Sequence, residues 1–152
     1  MTLYSIALFL HIVGALLLFG LLTGEGILLR RGGLVDARLN RVVGPISGLL
    51  ILFPGLYMTA STWGWKGWIV VGLAGWLVLA IVSAITGVML LRGRVSAATA
   101  AVSWTARVGL ALGIVFVMTV KADLLGSGAA VLIGAAVGLA AGLVGARRLH
   151  PA

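Results

Sequence analysis

Few side chains in this sequence could do chemistry, and most of them lie inside long apolar stretches. His11 interrupts the first apolar run, and Met118 and Lys121 lie near the end of the fourth. Imidazole suits haem iron, copper and zinc, and a histidine–methionine pair can ligate a cytochrome-type haem. The chain has no cysteine, which excludes disulfides and thiolate sites. His11, Met118 and Lys121 are therefore the candidate cofactor-binding residues, with His11 as the metal ligand and haem b as one cofactor.

Each of these residues also has a purely structural interpretation. His11 lies about 13 Å along a helix that begins near Thr2, close to the middle of a bilayer. Pro54, in the next apolar run, leaves the carbonyl of Leu50 without its helical donor, and a neutral His11 could supply one. Met118 could be an ordinary packing residue, and Lys121 could be an anchor whose ammonium reaches the membrane surface.

Two further ionisable residues also lie inside apolar segments. Glu25 follows the first run, and Arg107 lies about one turn inside the fourth. A pair between them would neutralise both charges at low dielectric; alternatively, they could bind an anionic headgroup or a substrate carboxylate. Asp123, two residues after Lys121, is expected to accept from another helix or to cap a helix end. His150 is expected to be solvated.

The composition is that of an integral membrane protein. Of 152 residues, 62% are hydrophobic and 9% are charged, and the mean hydropathy is +1.24. A soluble domain of this size could not bury that much apolar surface, and a disordered chain would be far less apolar. The net charge of +8 does not indicate nucleic-acid binding, since the basic residues lie at the ends of the apolar runs.

A membrane-spanning helix needs about 20 apolar residues, and the chain offers five such segments in one domain, residues 1–152. We predict an all-α bundle of five transmembrane helices at 3–22, 42–60, 68–91, 102–125 and 128–144. The fourth segment is the least apolar and could instead lie in the interface, which would give four crossings.

Charge asymmetry favours five crossings. With five, three basic groups share one side of the membrane: Arg30, Arg31, Arg38 and Arg41; Arg92 and Arg94; and Arg147 and Arg148. The positive-inside rule then places the N-terminus outside and the C-terminus in the cytoplasm. Tyr4, Tyr57, Trp63, Trp65 and Trp68 would form an aromatic belt at the outer surface. The first helix lacks a basic leader and a clear cleavage site, so we expect it to be retained.

The fifth segment carries a regular glycine spacing. Gly134, Gly138 and Gly142 recur every four residues and share one helix face. Such a stripe lets another backbone approach closely, which is a main source of helix association in lipid. The partner could be a helix of the same chain or a second copy in a homodimer, and a pore-lining role is a third possibility.

Four short motifs carry a resemblance across nearly the whole chain. They are LHIVG at residues 10–14, GLYM at 55–58, WGWKGW at 63–68 and FVMTVKADLLGS at 116–127. Together they resemble small uncharacterised bacterial membrane proteins that share a domain of unknown function. Lys121-Ala122 departs from the lysine-proline pair usual in that group. More remotely, His11 and the glycine-bearing apolar run after it resemble the first helix of the copper resistance D domain. His11 and Lys121 together resemble the first-helix histidine and later lysine that are associated with haem in membrane-bound protoporphyrinogen oxidases. The resemblance implies a multi-pass protein of the bacterial inner (plasma) membrane, with haem or copper bound at His11.

Two classes of function follow. The first is a small inner-membrane protein that binds haem or a metal through His11. The second is an accessory or scaffold subunit, or a small transporter-like protein, that forms a homodimer or joins a larger membrane complex through the glycine stripe. The chain has too few polar residues at depth for a wide aqueous pore. It also lacks a nucleophile elbow, so we do not expect a self-contained hydrolase.

Overall fold

The computed structural model describes residues 2–31 and 37–148, without the side chains of residues 37–39 and 148. Within these ranges the chain is helical and contains no strand. The helices are α1 Leu3–Arg30, α2 Ala37–Met58, the π-helix Thr59–Trp63 that continues α2, α3 Gly67–Leu91, α4 Ala97–Val120 and α5 Leu124–Arg148. Five segments are long and apolar enough to cross a membrane. The predicted all-helical fold with five membrane-length helices is confirmed.

Two helices, α1 and α5, are longer than predicted. The sequence predicted an end at residue 22 for the first helix, but α1 continues to Arg30. The extra turns are possible because Glu25 is buried with a partner and Gly26 lies against the ring of Trp104. The predicted range 128–144 for the fifth helix was also too short, since α5 extends to Arg148.

The predicted fourth helix, 102–125, was wrong at both ends. The helix begins at Ala97, where the Ser96 hydroxyl accepts from the Thr99 N–H at 3.1 Å. It ends at Val120 because Lys121 adopts a left-handed conformation, φ 54° and ψ 42°. The carboxylate of Asp123 then accepts the N–H of Gly126 at 2.8 Å and caps the start of α5. Asp123 therefore caps a helix end, one of the two roles expected for it.

The bundle has two chemically different ends. The connections Trp63–Gly67 and Lys121–Leu124 lie at one end, which we call the tryptophan end. Arg30, Arg92 and Arg147 lie at the other, the arginine end. Large apolar side chains are exposed along the outside of the helices between these ends, which fits a lipid-facing surface.

Helices α4 and α5 pack through their glycines. A Cβ atom placed on Gly134 would lie 2.5 Å from the carbonyl oxygen of Gly109, and one placed on Gly138 would meet the carbonyl of Thr105. Gly142 likewise faces Val102 and Thr105. The stripe therefore packs against a helix of the same chain, which was one of the three predicted possibilities.

Helices α1 and α2 also approach closely, and this contact positions the site described next. A Cβ atom on Gly14 would lie 2.8 Å from Leu50 Cβ and 2.9 Å from the backbone nitrogen of Ile51. Real Cβ atoms do not approach this closely, so the contact requires glycine.

Candidate functional site

His11 lies on α1 one turn before Gly14, and its ring faces α2. Its Nδ1 atom is 2.7 Å from the carbonyl oxygen of Ile51. A carbonyl can only accept, so Nδ1 carries a hydrogen, and an uncharged imidazole in this position has its lone pair on Nε2. Among the described residues, none forms a hydrogen bond to Nε2. The imidazole is thus fixed in one tautomer, with the other nitrogen available to a ligand.

The sequence pointed to the wrong acceptor for this bond. Pro54 removes the N–H that would have bonded the Leu50 carbonyl, but His11 reaches the carbonyl of Ile51. The reason is the position of the ring opposite Gly55, where an added Cβ would lie 3.3 Å from both Cε1 and Nδ1. At that height on α2 the nearest acceptor belongs to Ile51.

A cavity of about 270 Å³ lies beside His11 in the half of the bundle nearest the tryptophan end. His11, Met118 and Lys121, the three residues predicted to bind a cofactor, all line it. The other residues of the lining that matter here are Tyr4, Ile51, Gly55, Met58, Trp63, Trp68, Gly72 and Trp76. The structure therefore brings together residues from the first and fourth helices that are more than one hundred positions apart. We call this space the His11 cavity.

Two methionines contribute thioethers to the His11 cavity. Met118 packs its methyl group into the space left by the missing side chain of Gly72, and its sulfur lies 3.6 Å from the position of a Cβ there. Met58 is buried at the end of α2. The lining of the cavity thus includes one histidine and two methionines.

Lys121 covers the cavity at the tryptophan end. Its Nζ atom lies 4.1 Å from the centre of the Trp63 ring and 5.7 Å from that of Trp68. The two indoles meet edge to face at 5.7 Å, and Trp63 donates to the hydroxyl of Tyr4 at 3.2 Å. Cation–π contacts therefore hold the ammonium against the indoles as the positive partner. In this arrangement the ammonium lies against the two indoles at the edge of the cavity, and the cofactor-binding role of Lys121 stays a prediction.

The size of the cavity and the groups around it limit what it could hold. A ligating histidine typically donates its second ring N–H to a carbonyl, as His11 does. The described residues contain no group of three or more His, Cys, Asp or Glu side chains that could hold a metal ion. A volume of about 270 Å³ is below the usual range for organic ligands, about 300–1,000 Å³. A haem macrocycle would require the helices around His11 to move apart.

Glu25 and Arg107 lie away from the His11 cavity. The Arg107 guanidinium forms a salt bridge to the Glu25 carboxylate, and both side chains are only 2% exposed. Arg107 Nε also donates to the carbonyl of Ser103 at 3.3 Å. Arg107 lines a second cavity, of about 700 Å³, in the half of the bundle nearest the arginine end. We call it the Arg41 cavity, after the other cationic residue in its lining.

Three further candidate residues have no part in the His11 cavity. Gly134, Gly138 and Gly142 face α4. His150, which was expected to be solvated, lies outside the described residues.

The sequence reasoning missed Gly14, Gly55 and Gly72, which position His11 and Met118. The first two lie within motifs that the sequence analysis had noted, LHIVG and GLYM. The two glycines could therefore have been recognised from the sequence, because a glycine in a membrane helix lets a second helix approach closely.

Comparison with protein-family models, with curated proteins and with solved structures finds no match. The family resemblance of the four motifs therefore stays an expectation.

Proposed function

We propose that this chain is a multi-pass protein of the bacterial inner membrane that binds a transition-metal ion through Nε2 of His11. The observation that carries the proposal is the hydrogen bond from Nδ1 to the Ile51 carbonyl. It fixes the metal-binding tautomer and the direction of the ring without using Nε2. With the N-terminus outside, the His11 cavity lies in the outer half of the bilayer.

The other donors favour copper(I) as the ion. Met58 and Met118 line the same cavity, and thioether sulfur selects soft ions, of which copper(I) is the common biological case. Imidazole binds the same ion, so one nitrogen and two sulfurs form a coherent ligand set. The lining of the cavity is mostly apolar, which leaves a soft ion few competing oxygen ligands. Lys121 with Trp63 and Trp68 closes the site toward the membrane surface.

Haem b is the second candidate, since a single His11 can also ligate haem iron. The fixed tautomer suits haem equally well, but the volume of the His11 cavity does not. Assembly through the glycine stripe is disfavoured because that stripe already packs against α4. A continuous transport path is also disfavoured, because Ile51 and Trp76 line both cavities and separate them.

The test is metal analysis of the whole chain, purified in detergent from cells grown with added copper and haem precursor. We expect about one copper per chain and no Soret band. His11→Phe, which keeps an aromatic ring but removes the ligand, should lose the copper. Met118→Leu should retain markedly less copper than wild type. Met89 is an exposed methionine on α3 that lines neither cavity, so Met89→Leu should retain as much copper as wild type.

Three different outcomes would contradict the copper assignment. A Soret band that disappears in His11→Phe would establish haem as the ligand instead. Copper that survives in His11→Phe would show that it is held elsewhere. Protein free of both copper and haem, from cells supplied with each, would overturn the metal-binding function altogether.

A further inference from the structure

The Arg41 cavity has a shape unlike that of the His11 cavity. It runs between α2 and α3, and small residues on both helices make room for it. On α2 these are Gly44 and Gly48, and on α3 they are Ala80, Ser83, Ala84 and Gly87. With a volume of about 700 Å³, it falls in the middle of the range for ligand sites.

The two ends of this cavity differ in polarity. Toward the tryptophan end it stops at Trp76, whose ring atom Cζ2 lies 3.5 Å from the position of a Cβ on Gly48. Toward the arginine end it reaches Arg41 and Asn40. The Asn40 amide lies between the two helices, with its oxygen 3.3 Å from a Cβ position on Gly44 and its nitrogen 4.0 Å from one on Gly87.

The charge of the lining is positive. Among the described residues that line it, Arg41 and Arg107 are cationic and none is acidic. Glu25 balances Arg107 through their salt bridge, so Arg41 supplies the excess charge. An apolar groove that ends at a cation and an amide matches an amphiphile with a long chain and an anionic head.

We propose that the Arg41 cavity is a binding site for an anionic phospholipid of the bilayer. One acyl chain lies between α2 and α3 and ends against Trp76, and the phosphate lies at Arg41 and Asn40. Arginines near the membrane surface attract anionic headgroups by about 1 kcal/mol each, which corresponds to roughly a five-fold gain in affinity at 1.36 kcal/mol per factor of ten. The proposal does not rest on the metal site, because Arg41 and Asn40 at the arginine end line only this cavity, although Ile51 and Trp76 line both cavities.

The test is native mass spectrometry of the full chain, released from mixed phosphatidylglycerol and phosphatidylcholine with identical acyl chains. Wild type should retain phosphatidylglycerol preferentially. Arg41→Gln should reduce that preference roughly five-fold. Arg92→Gln is the matched control, since Arg92 is an exposed residue near the arginine end that does not line the cavity.

A second pair of variants tests the groove. Ala84→Phe places a ring in the cavity from an exposed position and should abolish retention of the bound lipid. Ala74→Phe, also exposed on α3 but outside both cavities, should not. Equal retention of the two lipids by wild type, or unchanged retention in both Arg41→Gln and Ala84→Phe, would overturn the proposal. Because Ala84 is exposed, loss of folding is not expected, and a thermal unfolding scan of each variant checks this.

Discussion

The imidazole of His11 donates its Nδ1 hydrogen to the carbonyl of Ile51 across 2.7 Å, three residues before Pro54. The bond links α1 to α2 at the point where the proline weakens the α2 hydrogen-bond ladder. It therefore serves two purposes: it ties the imidazole to α2, and it leaves Nε2 outside the hydrogen bond. A structural and a ligand-binding interpretation of His11 are compatible because they use different ring nitrogens.

The position of His11 depends on Gly55, and this gives the first prediction. In Gly55→Leu the new side chain would occupy the space of the imidazole, since even a Cβ lies 3.3 Å from Nδ1. We expect loss of bound copper although His11 is still present. Gly20→Leu is the control, because a Cβ at Gly20 has open space around it. The measurement is the copper content of the two purified variants. Equal copper contents would show that Gly55 does not position His11.

The sequence predicted the architecture well because the lipid environment imposes simple rules. Only helices of about 20 apolar residues can span the hydrocarbon core, so counting apolar runs gives five helices. Side-chain contacts of His11, Met118 and Lys121 do not follow from those rules. Their common cavity depends on helix rotation, and rotation is set by glycine contacts such as Gly14 with Leu50.

The ends of the helices were harder to predict for a related reason. Lys121 looks like a residue inside a helix, but its positive φ ends α4 at Val120. The π-helix Thr59–Trp63 has no compositional signal either. It is stabilised by a bond from the Gly64 N–H to the Thr59 carbonyl at 2.8 Å, and by the Thr59 hydroxyl, which donates to the Gly55 carbonyl at 2.9 Å. Such local hydrogen bonds depend on the geometry of the packed helices, which the composition of the segment does not show.

The salt bridge between Glu25 and Arg107 gives the second prediction. Removing one partner leaves the other charge buried alone, which typically costs about 3–5 kcal/mol. Glu25→Leu and Arg107→Met should therefore each lower the midpoint of thermal unfolding in detergent, and the double variant should recover much of the loss. Single variants as stable as wild type would show that water or lipid headgroups reach these charges.

The glycine contact between α4 and α5 gives the third prediction. Gly138→Ala places a methyl group against the Thr105 carbonyl and should destabilise the protein by about 1–3 kcal/mol. Gly145→Ala on the same helix meets open space and should leave stability unchanged or raise it. Thermal unfolding of the pair checks this. If Gly138→Ala matched Gly145→Ala, the two helices would not be in the close contact described.

Trp104 gives the fourth prediction. Its indole N–H donates to the carbonyl of Leu22 at 2.7 Å, so Trp104 joins α4 to α1 and is more than an interfacial aromatic. Trp104→Phe keeps an aromatic ring but loses the bond, and should cost about 0.5–1.5 kcal/mol. Trp65→Phe, at a residue that is 67% exposed, should cost nothing measurable. Equal unfolding midpoints for the two variants would contradict the role of Trp104.

Membrane orientation is the last prediction, and the absence of cysteine makes it simple to test. Single cysteines can be placed at exposed positions of the two ends, Thr62→Cys at the tryptophan end and Ala97→Cys at the arginine end. Since the basic residues concentrate at the arginine end, the positive-inside rule requires that end to face the cytoplasm. A membrane-impermeant maleimide added to intact spheroplasts should label Thr62→Cys and spare Ala97→Cys until the membrane is opened. The reverse pattern would invert the topology and place the His11 cavity in the cytoplasmic half of the bilayer, where the copper(I) ion would have to be supplied from inside the cell.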